Sequence, residues 1–222
     1  MISISTLDFL KQLKRNNNRE WFAEHKAEFQ IEQQKVKDFY NAIEEQLKAH
    51  DDIDKFKLFR IYRDVRFSKD KTPYKPHFAG SFSRATNRLR GGYYLRIRPG
   101  ESFLAGGFWE PNKEDLLRIR KEFEMDTSEI RSIIANENFV ECFGELQGNA
   151  LKTAPRGFDK EHPDMDLIKM KQFIVVQNFT DQEVTAPNFI DEVGKSYQTM
   201  RPYFDYMSEI LTTDLNGESI IG

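Results

Sequence analysis

The sequence predicts an α+β fold in which a mainly antiparallel sheet, formed as a meander in the middle of the chain, is covered by N- and C-terminal helices. Three observations carry this expectation. Apolar residues recur at helical spacing near the start, at Phe22, Phe29, Val36, Tyr40, Ile43 and Leu47. They do so again near the end, at Phe189, Ile190, Val193, Tyr197, Met200, Phe204, Met207 and Leu211. Between these stretches lie short runs suited to strands, separated by turn residues rather than by helices, which favours an antiparallel meander over a βαβ arrangement.

The elements follow in order. Thr6 is placed to cap a short amphipathic turn carrying Leu7, Phe9, Leu10 and Leu13, and Asn16-Asn17-Asn18 ends it. Asn18 then caps a long helix from about Arg19 to His50. Strands are expected at Lys57 to Tyr62, His77 to Ser83, Gly92 to Arg98 and Ser102 to Trp109. Turn chemistry at Thr86-Asn87 to Gly91-Gly92 and at Pro99-Gly100 supports the last three. Asn112 opens a helix to about Glu124, and Asp126 or Thr127 caps another containing Ile130, Ile133 and Ile134. Glu145 to Pro163 reads as loop with a short strand around Ala150 to Thr153, and Gln172 to Phe179 as a buried strand. The final helix starts near Pro187, with Pro202 expected to kink or break it.

At 222 residues, with 39% hydrophobic and 31% charged residues and 19 Phe, the chain has the material for an aromatic-rich core without disulfide or metal support. No repeat or flexible linker divides it, so a single domain over 1–222 is expected. The one cysteine, Cys142, cannot form an intrachain disulfide and reads as buried filler in a reducing compartment. No basic stretch precedes a long apolar run at the N-terminus, and the longest apolar run, Phe103 to Trp109, is far short of the ~20 residues that cross a bilayer. A cytoplasmic protein without membrane association is the expectation.

Charge is unevenly placed. The total is -3, but residues 60–98 hold 11 basic and 2 acidic residues, whereas residues 99–222 hold 12 and 23. Within the basic segment, Arg63 to His77 packs five cations, two Asp, a Ser, a Thr, a Tyr and a His into one connection stiffened by Pro73 and Pro76. Arg63, Arg66, Lys71 and Lys75 supply the planar forks and compact charges that hold phosphate or carboxylate. Ser68 and Tyr74 add hydroxyl donors, and His77, with Asp64 or Asp70, is the candidate for moving a proton. The alternative is that Asp64 and Asp70 merely pair with neighbouring cations and lock the loop; the excess of cations over carboxylates favours a site. A second segment, Leu151 to Pro163, contributes Arg156, whose guanidinium Gly157 would help aim, and His162 before Pro163. If the two loops meet, they form a cationic pocket with two histidines.

The blocks Asn17 to Phe22, Arg63 to His77, Gly92 to Leu95 with Pro99-Gly100 and Gly106-Gly107, and Leu151-Lys152 with Pro155 to Phe158 and His162-Pro163 resemble the domain of unknown function 2461 family over nearly the whole chain. The resemblance implies one full-length domain in a mainly bacterial family without an established activity. It marks both loops as family signatures and implies no substrate.

Phosphate-binding glycine loops, a dinucleotide fingerprint, H-E-x-x-H and G-x-S-x-G are all absent, and the four histidines lack paired ligand spacing. No metal site and no particular cofactor follow. The expected function is a cationic site for a phosphorylated or carboxylated small ligand, in a binding protein or an enzyme. Two other classes stay open: a nucleic-acid module using segment 60–98, with Phe67, Tyr74, Phe78, Phe82, Tyr93 and Tyr94 for stacking, and an adaptor docking an acidic partner. Strand alternation turns many of those aromatics toward a core, and the acidic remainder of the chain repels a polyanion, so nucleic acid is the weaker alternative.

Overall fold

The computed structural model describes residues 1–221. In chain order it comprises helices α1 (Ile4–Arg15), α2 (Arg19–Glu24) and α3 (Lys26–Lys48), strands β1 (Ile53–Leu58), β2 (Phe78–Arg84), β3 (Gly92–Ile97) and β4 (Ser102–Phe108), helices α4 (Lys113–Met125), α5 (Ser128–Ile134), α6 (Glu137–Phe143) and α7 (Met165–Ile168), strand β5 (Phe173–Phe179), and helices α8 (Asp181–Thr185) and α9 (Phe189–Thr212). The five strands form one antiparallel sheet in the order β1-β2-β3-β4-β5, the α+β class expected.

Several local outcomes differ from the sequence reading. Ser3, not Thr6, caps α1: its side chain accepts the Thr6 N–H, while the Thr6 hydroxyl donates to buried Glu32 at 2.7 Å. The long N-terminal helix is interrupted at His25, whose ring stacks on Trp21 at 3.9 Å and whose Nδ1 lies 2.8 Å from the Trp21 carbonyl. The His25 backbone N–H donates to the same carbonyl at 3.1 Å, so ring and backbone converge on one acceptor where the two helices part. Pro202 does not break α9, which continues as 24 helical residues. The segment around Ala150 forms isolated bridges, Gln147 with Ile174 and Ala150 with Met170, in place of a strand. Cys142, on α6, is only partly buried.

The chain divides into two compact units. The first comprises Met1–Phe82, Tyr94–Leu104 and Asn178–Lys195. Its core is the face of α3 bearing Phe29, Val36, Tyr40 and Ile43, with Phe78, Phe82, Leu95 and Ile97 from the strands. The buried Tyr40 hydroxyl donates to the Leu95 carbonyl at 2.8 Å, so the aromatic body is buried without orphaning its polar end. The second unit comprises Ser83–Tyr93, Ala105–Gln177 and Ser196–Gly222. Tyr197, Met200, Tyr203 and Phe204 of α9 are buried there with Tyr93, Phe123, Phe139 and Phe173. The Tyr203 hydroxyl donates to the Phe173 carbonyl at 2.9 Å.

Candidate functional site

The first unit builds its cationic site on an irregularity in strand pairing. Beyond β1 the chain continues as an open ladder: Phe59 N–H donates to the Ala79 carbonyl, Lys75 N–H to the Ile61 carbonyl and Arg63 N–H to the Pro73 carbonyl, each at 2.8 Å. From Phe59 to Ile61 one side advances two residues while the other runs from Ala79 back to Lys75, four residues. The excess is a bulge holding Pro76 and His77 opposite Arg60. Proline has no N–H to lose from a ladder, and a bulge re-aims the side chains beside it. The predicted strand Lys57 to Tyr62 is therefore a regular strand ending at Leu58 followed by this stem.

The stem is anchored from the N-terminal helices. Asn17 clamps the Tyr74 backbone at two points, accepting its N–H at 3.1 Å and donating to its carbonyl at 2.9 Å. The buried Tyr74 ring stacks on Phe22 at 4.0 Å. Tyr74 thus supports the site instead of lining it, and burial raises its hydroxyl's pKa.

Around the bulge lies a cleft of about 180 Å³ lined by Phe59, Arg60, Arg63, Lys75, His77 and Tyr94. Among the described residues no carboxylate lines it. Arg63 is braced, with its Nη2 2.9 Å from Asp70 and its Nε donating to the Thr72 carbonyl at 3.1 Å. Arg60 and Lys75 have no carboxylate within ion-pair distance among the described residues. Burial lowers the Lys75 pKa, and the neighbouring Arg63 and Arg60 lower it further. His77 is affected most: burial, and then the charges of Arg96, Arg98, Lys75 and Arg63, push its ring down to about 4. Its Nδ1 is buried with no hydrogen-bond partner among the described residues. The structure thus gathers cations beside an imidazole whose protonated form both burial and those charges disfavour.

The remaining candidates of the first loop form its exposed tip. Arg66 meets Asp64 through two charge-assisted bonds, Nε to Oδ1 at 3.0 Å and Nη2 to Oδ2 at 2.8 Å. Lys71 donates to the Val65 carbonyl at 2.8 Å, Asp70 accepts the Thr72 N–H and hydroxyl as well as Arg63, and Ser68 sits partly buried among them. These contacts close the loop on itself. Of the predicted residues, the cleft brings together Arg63, Lys75 and His77.

The second loop lies in the other unit with its own partners. Arg156 is exposed beside Gly157, whose φ of +88° is the unusual backbone angle expected there. His162 is engaged at both nitrogens: Nδ1 accepts the Asp164 N–H at 3.1 Å, and Nε2, which then carries the hydrogen, lies 3.2 Å from the Glu124 carbonyl. Such a ring ties the end of α4 to the turn before α7. His162→Ala is expected to lower stability by about 1–2 kcal/mol in chemical denaturation and to leave anion binding unchanged.

Arg60 and Tyr94 are site residues that the motif reading missed, with Arg96 and Arg98 acting on His77 from nearby. A signal for three of them lay in β3: along Tyr93 to Arg98 burial alternates, with Tyr93, Leu95 and Ile97 in the core and Tyr94, Arg96 and Arg98 on the more open face. Of the six aromatics considered for stacking, Tyr74, Phe78, Phe82 and Tyr93 are buried.

The fold and the cleft define a class: an α+β protein with a compact cationic recess on a bulged strand pair. The family model described as "Conserved hypothetical protein (DUF2461)" matches residues 5–206, and the chain belongs to that family. No curated protein and no solved structure matches the chain. Among the described residues no helix is long and apolar enough to cross a membrane, and no group of three or more His, Cys, Asp or Glu is placed to hold a metal ion.

Proposed function

We propose that this protein binds a small phosphorylated or carboxylated molecule, with the anionic group seated in the cleft between Arg60, Arg63 and Lys75 beside His77. The observation that carries this reading is a cleft lined by three cations and no carboxylate, beside a histidine whose Nδ1 is buried without a hydrogen-bond partner among the described residues. Arg63 is already braced by Asp70, but Arg60 and Lys75 have no such partner among the described residues, so an anion entering between them gains hydrogen bonds and relieves their repulsion. The cleft volume of about 180 Å³ suits one anionic group with a small attached body. The burial of four of the six candidate stacking aromatics also supports a small anion over a single-stranded nucleic acid. An imidazole that is unprotonated at neutral pH gives the site a proton acceptor, the group an enzyme acting on a bound hydroxyl would need.

The test is the titration of the His77 ring, followed by NMR with and without sulfate, whose charge is constant across the range. Without anion the midpoint falls near 4, the charges facing the ring being Arg63, Lys75, Arg96 and Arg98. An anion seated beside it favours the imidazolium, so sulfate raises the midpoint by a unit or more, and by linkage sulfate binds more tightly as pH falls from 7 toward 5. In the free protein the folded value lies below the unfolded value of about 6.5. Stability linked to this ring is therefore present above that pH and is lost as pH falls toward 4. A midpoint that sulfate leaves in place refutes the assignment.

A further inference from the structure

A second and larger cleft, of about 580 Å³, adjoins the first within the same unit. Lys11, Lys14 and Arg15 of α1 line it, together with Pro76 from the bulge, Arg98 from the end of β3, and Asp181. The two clefts share a rim. Pro76 faces the larger one while its neighbour His77 faces the smaller, and Arg98 lines the larger one while its charge reaches the His77 ring. The single carboxylate of the larger cleft is engaged: Asp181 accepts the Gly100 N–H at 2.7 Å and lies 3.6 Å from Lys11. Arg98 is 3.1 Å from Glu101. Lys14 and Arg15, by contrast, have no carboxylate within ion-pair distance among the described residues. Cations in the last turn of a helix complement its dipole, which accounts for Lys14 and Arg15 by themselves. It does not account for Arg98, which arrives on a different element and faces the same space.

β3 and the Pro76–His77 bulge run past both clefts. Tyr94 belongs to the first cleft and Arg98 to the second, and both lie on one face of a nearly extended segment. Four residues of extended chain span roughly 13 Å, and Arg98 is near enough for its charge to act on His77, so the two seats lie at most that far apart. Resting on the reading of the His77 cleft given above, we propose that the two clefts are subsites for one small molecule carrying two anionic groups, phosphate or carboxylate, at most roughly 13 Å apart. One group sits at Arg60, Lys75 and His77, the other at Lys14, Arg15 and Arg98, and the uncharged body crosses the Pro76 rim. Linking the two groups makes the second contact intramolecular, so the gain over a monoanion depends on linker length.

The experiment is calorimetric titration of the full chain with inorganic phosphate and with a series of α,ω-alkane bisphosphonates, each compared with the ω-hydroxyalkyl monophosphonate of the same length. Affinity is expected to peak at a chain of about ten carbons or fewer, the length that spans roughly 13 Å, and to exceed that of the matching monophosphonate by at least about tenfold. In a Lys14→Gln/Arg15→Gln variant that ratio falls to about one, while sulfate still raises the titration midpoint of His77, a readout confined to the first cleft, which neither residue lines. Bisphosphonates that bind no better than monophosphonates at every length overturn the proposal. So does a bisphosphonate advantage that survives in the variant. Oligothymidylates whose affinity keeps rising with length and collapses with salt overturn it in favour of a polymer. Failure of phosphate to bind the wild type at all is a separate result, and it removes the His77 reading on which this proposal rests.

Discussion

Lys75→Gln is expected to bind phosphate at least tenfold more weakly than wild type at pH 7 while unfolding at the same temperature or a higher one. The two halves of this result come from one cause. Lys75 carries its charge beside Arg63 and Arg60 in a partly buried cleft, and burial together with those neighbours disfavours its ammonium form. Glutamine keeps much of the side-chain length and removes the charge, so the free protein loses repulsion. With an anion bound, the same change removes a charge-assisted hydrogen bond, about 1.5–3 kcal/mol, or roughly ten- to a hundredfold in affinity. Calorimetric titration and thermal denaturation measure the two halves independently. Arg66→Gln is the matched control: Arg66 is exposed and satisfied by Asp64 at the loop tip, so phosphate affinity should change less than about twofold. Unchanged affinity in Lys75→Gln would move the anion out of the cleft, and a lowered unfolding temperature would make Lys75 a structural residue.

Gly107→Ala is expected to cost about 3–5 kcal/mol, and with it roughly 10 °C in unfolding temperature. Gly107 has a φ of +126°, a conformation that L side chains rarely adopt, and a methyl group there would overlap the Phe173 carbonyl oxygen. Backbone cannot swing aside as a side-chain tip can, so β4 and β5 would have to separate at this point. Gly157→Ala isolates the two contributions. Its φ is +88°, but nothing lies within 4 Å of an added methyl group, so only the backbone penalty of about 1–2 kcal/mol applies. Equal costs at the two positions in chemical denaturation would mean that the Phe173 contact contributes nothing.

The legibility of the fold varied with the range of the forces that made each element. α9 is readable because its apolar stripe is long enough to outweigh one proline: of the two outcomes offered at Pro202, a kink or a break, the break does not occur. β2, β3 and β4 were found within about a residue at each end, their turns marked by Gly-Gly and Pro-Gly. The interruption at His25 was not readable, because it depends on the imidazole meeting Trp21, a contact between side chains that spacing alone does not reveal. α6 and α8 were missed for a related reason. Each is seven residues or fewer, too short for a periodic signal, and each is started by a cap, Asn136 and Thr180, that resembles ordinary loop polarity.

The candidate site divides along the same line. Composition located a cationic stretch from Arg60 to Arg98, and the Arg63 to His77 motif marked a stiff loop, because proline and charge are properties a residue carries wherever it lies. What the motif could not separate is which of its cations bind one another's carboxylates and which remain available. Asp64 takes Arg66 and Asp70 braces Arg63, while Arg60 and Lys75 face a cleft without a carboxylate. That sorting requires the bulge at Pro76 and His77, which exists only when the stem pairs out of register with the strands below it. The α+β class, the meander and the charge density of one segment follow from periodicity and composition along the chain. That His77 is half-buried near Arg96 of β3 and Arg98 just beyond it, and that His162 fastens α4 to its neighbouring turn, is visible only in the folded chain. The physical reason is that a histidine's protonation and partners are set by burial and by charges brought in from distant segments, and no local pattern encodes either.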